Sequence, residues 1–123
     1  METSQLKWTD THCHLYVEEF SHDRDEMIAR ALASGVHKLM LPNIDQDSIS
    51  GMWNLVGQYP GVCFPMIGLH PCSVKEDFED ILDRMEAEMA SREYAGIGET
   101  GIDLYWDRSF EREQVKAFER QIS

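Results

Sequence analysis

Apolar positions along this chain switch repeatedly between two periods, and each switch marks a new element. Trp8-Thr9-Asp10-Thr11-His12-Cys13-His14 is a short run rich in aromatic and β-branched residues and reads as a first strand. From Ser21 or Asp23, either of which suits a helix cap, Met27, Ile28, Ala31 and Leu32 recur on one helical face, and Gly35 is a natural stop. Val36 to Leu41 is a second strand, ended by Pro42. Asp45 and Asp47 suit a second helix start, after which Ile49, Met52, Trp53 and Val56 make an apolar stripe. Such a stripe predicts core packing.

Tyr59-Pro60-Gly61 breaks the chain, and Val62 to Leu69 is a nearly all-apolar third strand. Pro65 counts against a central position there, since it cannot donate to the ladder. Ser73 with Glu76 matches a capping box, followed by a long amphipathic helix with Phe78, Ile81, Leu82, Met85 and Met89 on its apolar face. Tyr94 to Gly98 is a fourth short strand. Asp107 is placed to cap a last helix carrying Val115, Phe118 and Ile122, still running at Ser123. A β-α unit repeated four times with short connections predicts an α/β fold: a parallel sheet with right-handed crossovers.

Length adds a bound: 123 residues suffice for one domain with a core and are too few for two ordinary ones. Charge adds more. The 11 basic and 23 acidic residues leave a net −12, which argues against nucleic-acid binding by a broad basic patch. Bound divalent cations reverse the local sign of a site, so a phosphate-bearing substrate remains open. Cys13, Cys63 and Cys72 are odd in number and lack zinc-ribbon spacing, so reduced, mostly buried thiols are expected. No apolar run approaches a membrane span, and the polar lead Met1 to Lys7 shows no basic-then-apolar pattern. A cytoplasmic protein without a membrane partner is the expectation.

In α/β folds functional groups collect at the C-terminal ends of strands. If the first run is a strand throughout, His12 and His14 share one face and Cys13 points away. Two imidazoles so placed are half of a metal cage. Asp10 shares that face and is a candidate to orient a ligand from behind. The second strand end offers Pro42, Asn43 and Asp45, and the third His70. The fourth offers Glu99 in Gly98-Glu99-Thr100-Gly101-Ile102-Asp103, with glycines that permit close backbone approach. Asp103 fixes this loop or caps a turn. His37, near the start of its strand, reads as a packing or surface residue. Nitrogen and oxygen ligands on one rim suggest hydrolysis by a metal-activated water, and a carboxylate such as Glu99 could bridge two ions.

Thr9-Asp10-Thr11-His12-Cys13-His14-Leu15, Gly68-Leu69-His70-Pro71 and Gly98-Glu99-Thr100-Gly101-Ile102-Asp103, in this order, resemble the TatD family of metal-dependent deoxyribonucleases. The resemblance implies a TIM (β/α)8-barrel metal-dependent hydrolase of the amidohydrolase type that cleaves DNA phosphodiesters. It implies that His12 and His14 bind one ion, that Glu99 is catalytic and bridges two, and that His70 contacts substrate phosphate. The ions would be Mg, Mn or Zn, two per complete site. A full barrel takes about 250 residues. Residues 1–123 are therefore expected to be the N-terminal half of a single barrel domain, truncated in the fourth helix. The family's later ligands, two histidines and an aspartate, have no counterpart here. The complete enzyme would be a monomer. The half alone would be inactive or self-associate through its open interior. Two other readings stand beside this one: another His-x-His barrel hydrolase acting on small amides or phosphoesters, and a non-catalytic half-barrel used for binding.

Overall fold

The computed structural model describes residues 6–123, so Met1 to Gln5 of the polar lead lie outside the described residues. Four strands alternate with four helices: β1 (Trp8–Asp10), α1 (Arg24–Ala33), β2 (Val36–Pro42), α2 (Ile49–Gln58), β3 (Cys63–Ile67), α3 (Phe78–Ser91), β4 (Gly96–Ile97) and α4 (Glu111–Ile122). Short 3-10 turns at Glu18–Phe20 and Pro71–Ser73 follow β1 and β3. All strand pairs are parallel and the order is β1-β2-β3-β4. Each crossover therefore steps to the next neighbour in the same direction. With right-handed crossovers, that puts every helix on one face of the sheet. This is the α/β architecture expected from the sequence: the first four units of a barrel, with the other face turned to the barrel interior.

Side-chain alternation follows from this. Leu39 and Leu41 of β2, with Cys63 of β3, are buried under the helices in a cluster with Ile28, Met52 and Leu55. A second cluster joins Ile67 and Leu69 to Phe78, Leu82 and Met85 of α3 and Ala117 of α4. The opposite face carries Lys38, Met40, Phe64 and Met66, none of them buried, with Lys38 Nζ 5.6 Å from the Phe64 ring centroid. Truncating Ile28 or Met52, both fully buried, to alanine would cost about 2–5 kcal/mol.

Several local expectations need correction. The first strand ends at Asp10, four residues short of His14. Pro65 does sit in a central strand. Its carbonyl faces β4, where it accepts the Ala95 N–H at 2.7 Å, so the missing donor falls at the entry to a two-residue strand and costs little pairing. The Ser73–Glu76 capping box does not form: Ser73 ends a 3-10 turn, and α3 starts at Phe78 without a side-chain cap. Asp107 instead accepts the Ser109 N–H at 2.8 Å, a local turn that precedes α4. In α2 the buried positions are Met52 and Leu55, while Trp53 turns to donate to Tyr94 Oη at 2.9 Å. Gly35 does stop α1, with φ at +95°. The cysteines are free, with Cys63 buried, Cys13 half-buried and Cys72 exposed.

Candidate metal centre

After Asp10 the chain leaves the sheet as a loop tied down at several points. Cys13 N–H donates to the Met40 carbonyl at 3.1 Å, anchoring the loop to the end of β2. Asp10 Oδ1 accepts the His12 N–H at 3.0 Å, so Asp10 fixes the backbone of a candidate ligand rather than its ring. Arg24, the first residue of α1, donates to the carbonyls of Leu15 at 2.6 Å and Val17 at 2.8 Å. This loop achieves what a continued strand would have achieved. The imidazoles of His12 and His14 meet, Nε2 to Nε2, at 3.1 Å.

Glu99 arrives from the other side by backbone packing. Asn43, just past β2, is fully buried. Its N–H donates to the Gly98 carbonyl, and its own carbonyl accepts the Glu99 N–H, both at 2.9 Å. Its side-chain amide donates to Ser48 Oγ at 2.6 Å and to the Asp45 carbonyl at 2.8 Å. Gly68 lies against the same segment. A Cβ on Gly68 would stand 2.7 Å from the Gly98 carbonyl carbon and 3.0 Å from Glu99 N, closer than backbone tolerates. Gly68 is thus required by close approach, whereas a Cβ on Gly98 would press on the flexible end of Met66 at 2.8 Å and one on Gly101 would meet nothing within 4 Å. The Gly98–Glu99 peptide bond is cis.

The result is a convergence of three donor atoms. Glu99 Oε2 lies 3.1 Å from His14 Nε2 and 3.3 Å from His12 Nε2. Ligand atoms about 2.1 Å from a shared ion are about 3.0 Å apart at a right angle and about 3.4 Å apart at the tetrahedral angle. The observed spacings fit that range, and nitrogen and carboxylate donors suit a divalent cation.

Proton bookkeeping strengthens the fit. Tyr16 Oη gives its single proton to the Pro42 carbonyl at 2.6 Å, so at 3.1 Å it accepts from His14 Nδ1–H. His14 then presents a lone pair at Nε2, toward an acceptor carboxylate. Burial lowers the His14 pKa below the usual imidazole value, ahead of the opposing pull of Glu99, which favours the neutral ligand form. Burial also raises the Tyr16 pKa, keeping its hydroxyl protonated, and pushes the Cys13 thiol up to about 12, leaving it inert between the two candidate ligands.

His70 is oriented differently. Its Nδ1 accepts the Cys72 N–H at 3.0 Å, so the ring proton is on Nε2, 3.3 Å from Glu99 Oε1. His70 is thus a donor toward the second carboxylate oxygen. Asp103 Oδ1 accepts the Tyr105 N–H at 3.0 Å and anchors the loop after Glu99, away from the ligand atoms. His37 lies apart from the centre, its Nδ1 2.8 Å from the Trp8 carbonyl oxygen. Sequence reasoning missed Tyr16, Arg24 and the side chain of Asn43. Tyr16 carried one signal, its place two residues after His14. Arg24 carried none.

The sequence pattern described as TatD-related DNase matches residues 9–123. The chain is 31% identical over 114 residues to the metal-dependent hydrolase YabD of Bacillus subtilis, a match covering 93% of this chain and 44% of that protein. It is 33% identical over 104 residues to the 3'-5' ssDNA/RNA exonuclease TatD of Cronobacter turicensis, covering 85% and 39%. The crystal structure of YjjV, a TatD homologue from Escherichia coli K12, superposes with a TM-score of 0.83 at 26% identity, over 94% of this chain and 45% of that one. The chain spans less than half the length of the relatives it matches.

Proposed function

This chain belongs to the TatD-related DNase family of metal-dependent hydrolases, and on that premise we propose that it carries the first half of a DNA-cleaving active site. The observation that carries the proposal is the approach of His12 Nε2, His14 Nε2 and Glu99 Oε2 to within 3.1–3.3 Å of one another. His12 and His14 would hold one divalent ion, Mg, Mn or Zn, and Glu99 would be shared with a second. Bound ions would supply a nucleophilic water at neutral pH and neutralise the phosphate, a task the acidic chain leaves to no lysine cluster. Tyr16 holds His14 in the ligating tautomer, and Asn43 fixes the backbone on which Glu99 stands. His70 Nε2–H is directed at the carboxylate and available to a phosphoryl oxygen beside it.

Residues 1–123 form one half of a single barrel domain in this proposal, and the remaining ligands come from the other half. The match of nearly the whole chain to under half of each relative supports it. The half-barrel alone is then inactive or associates through its open face, giving sedimentation coefficients that rise with concentration.

The test is cleavage of a labelled single-stranded oligonucleotide by the protein of the complete reading frame with Mg, Mn or Zn. Cleavage is expected, with loss in Glu99→Gln. Turnover of small amides or phosphoesters with DNA untouched would favour the rival hydrolase. Full nuclease activity from a monomeric 123-residue chain would contradict the half-site reading.

A further inference from the structure

The loop from β4 to α4 carries, midway along it, two aromatic side chains that contribute nothing to the core. Tyr105 is 82% exposed and Trp106 is 79% exposed. Their rings stand edge to face, with centroids 4.7 Å apart. Two large neighbouring aromatics left in solvent mark an interaction surface more than scattered exposure does.

The loop beneath them is well tied. The N–H and carbonyl of Asp103 are both held by the side chain of Gln114, at 2.8 and 3.0 Å, and Gln114 is 3% exposed on α4. Asp103 Oδ2 meets Cys72 Sγ at 3.4 Å, two residues past His70. The aromatic pair therefore stands on a loop sewn to both rim segments that carry Glu99 and His70. Trp106 is seven residues from Glu99, so the backbone separation is at most about 25 Å. Beside Trp106 lies a cavity of about 180 Å³, lined by Cys72, Lys75, Asp103 and Phe110 among others.

We propose that Tyr105 and Trp106 form a stacking platform for an unpaired nucleobase of the strand whose phosphate reaches the His12–His14–Glu99 cluster. This rests on the DNA-hydrolase reading. A chain of net charge −12 draws little affinity from the phosphate backbone by itself, so holding a strand needs contacts that carry no charge. Base–aromatic stacking is such a contact, and it tolerates any sequence because every base has a π-face. A duplex hides those faces in its own stack, so the platform selects single strands.

The experiment is fluorescence anisotropy of a labelled oligothymidine with the 123-residue chain at low salt, without divalent metal, so that cleavage does not intervene. Tyr105→Ala and Trp106→Ala are each expected to weaken binding about five-fold or more, and Trp106→Phe to retain most of it. A strand of abasic residues with the same phosphates should bind weakly and equally to wild type and variants. Both side chains are exposed, so far-ultraviolet circular dichroism should be unchanged. Oligothymidine affinity that is equal in wild type and the alanine variants would overturn the platform and leave the hydrolase reading standing. Absence of strand binding by the wild type would also overturn it, and the cleavage assay then decides the hydrolase reading separately.

Discussion

At the ends of β2, β3 and β4 the backbone is packed without slack, whereas after β1 Thr11 and His12 stand exposed before the chain turns into the core at Leu15 and Tyr16. Behind the centre, Asn43 is fully buried, and Gly68 lies so close to the Gly98–Glu99 backbone that it accepts no Cβ without displacing it. In front, the His12 side chain keeps 53% of its surface exposed, against 26% for Glu99. One cluster is thus built in two ways. Glu99 is placed by main-chain hydrogen bonds and steric contact, and His12 by a tethered loop. The front of a binding site has to admit a ligand, while the rear has to hold geometry against it.

The most damaging single change should lie at the rear. Gly68→Ala drives a methyl into the Gly98 carbonyl, and backbone cannot rotate away as a side chain can. A loss of about 3 kcal/mol in urea unfolding is expected, with Glu99 displaced and metal affinity reduced. Asn43→Ala removes the donor to Ser48 and Asp45 from a fully buried position and should cost about 2 kcal/mol by the same measurement. Tyr16→Phe bridges the two regions. It deletes the hydroxyl between His14 Nδ1 and the Pro42 carbonyl, so divalent-metal affinity should fall about ten-fold in calorimetric titration while the fold persists. Asp10→Ala, in front, removes one exposed hydrogen bond to His12 N–H and should change stability by no more than about 0.5 kcal/mol. Equal costs for Gly68→Ala and Asp10→Ala would erase the contrast between rear and front.

How much of this was legible in the sequence follows the same division. The β-α alternation was readable because periodicity is a local property, and β2 was placed to within a residue of its observed end at Pro42. The pairing of His12 with His14 was anticipated for an incomplete reason. The strand stops at Asp10, and a loop tied to Met40 and Arg24 brings the rings together instead. Glu99 stands out in the sequence by its glycines, but the residues that fix its backbone, Gly68 and Asn43, lie 31 and 56 residues away in sequence and meet it only across the folded sheet. Motif logic failed at the caps. Ser73 and Glu76 had the right spacing, yet Pro71 starts a 3-10 turn whose first N–H bond is taken by the His70 ring. Among the described residues no helix is long and apolar enough to cross a membrane.

His12, His14 and Glu99 are proposed to hold a divalent cation. Isothermal titration of the chain with Mn²⁺ and Zn²⁺ tests it most directly. Saturable binding of about one ion per chain is expected. Binding should be lost in His14→Ala and Glu99→Ala and kept in His37→Ala, whose ring contacts the Trp8 carbonyl away from the centre. Binding that survives both ligand substitutions, or that is absent from the wild type, would contradict it.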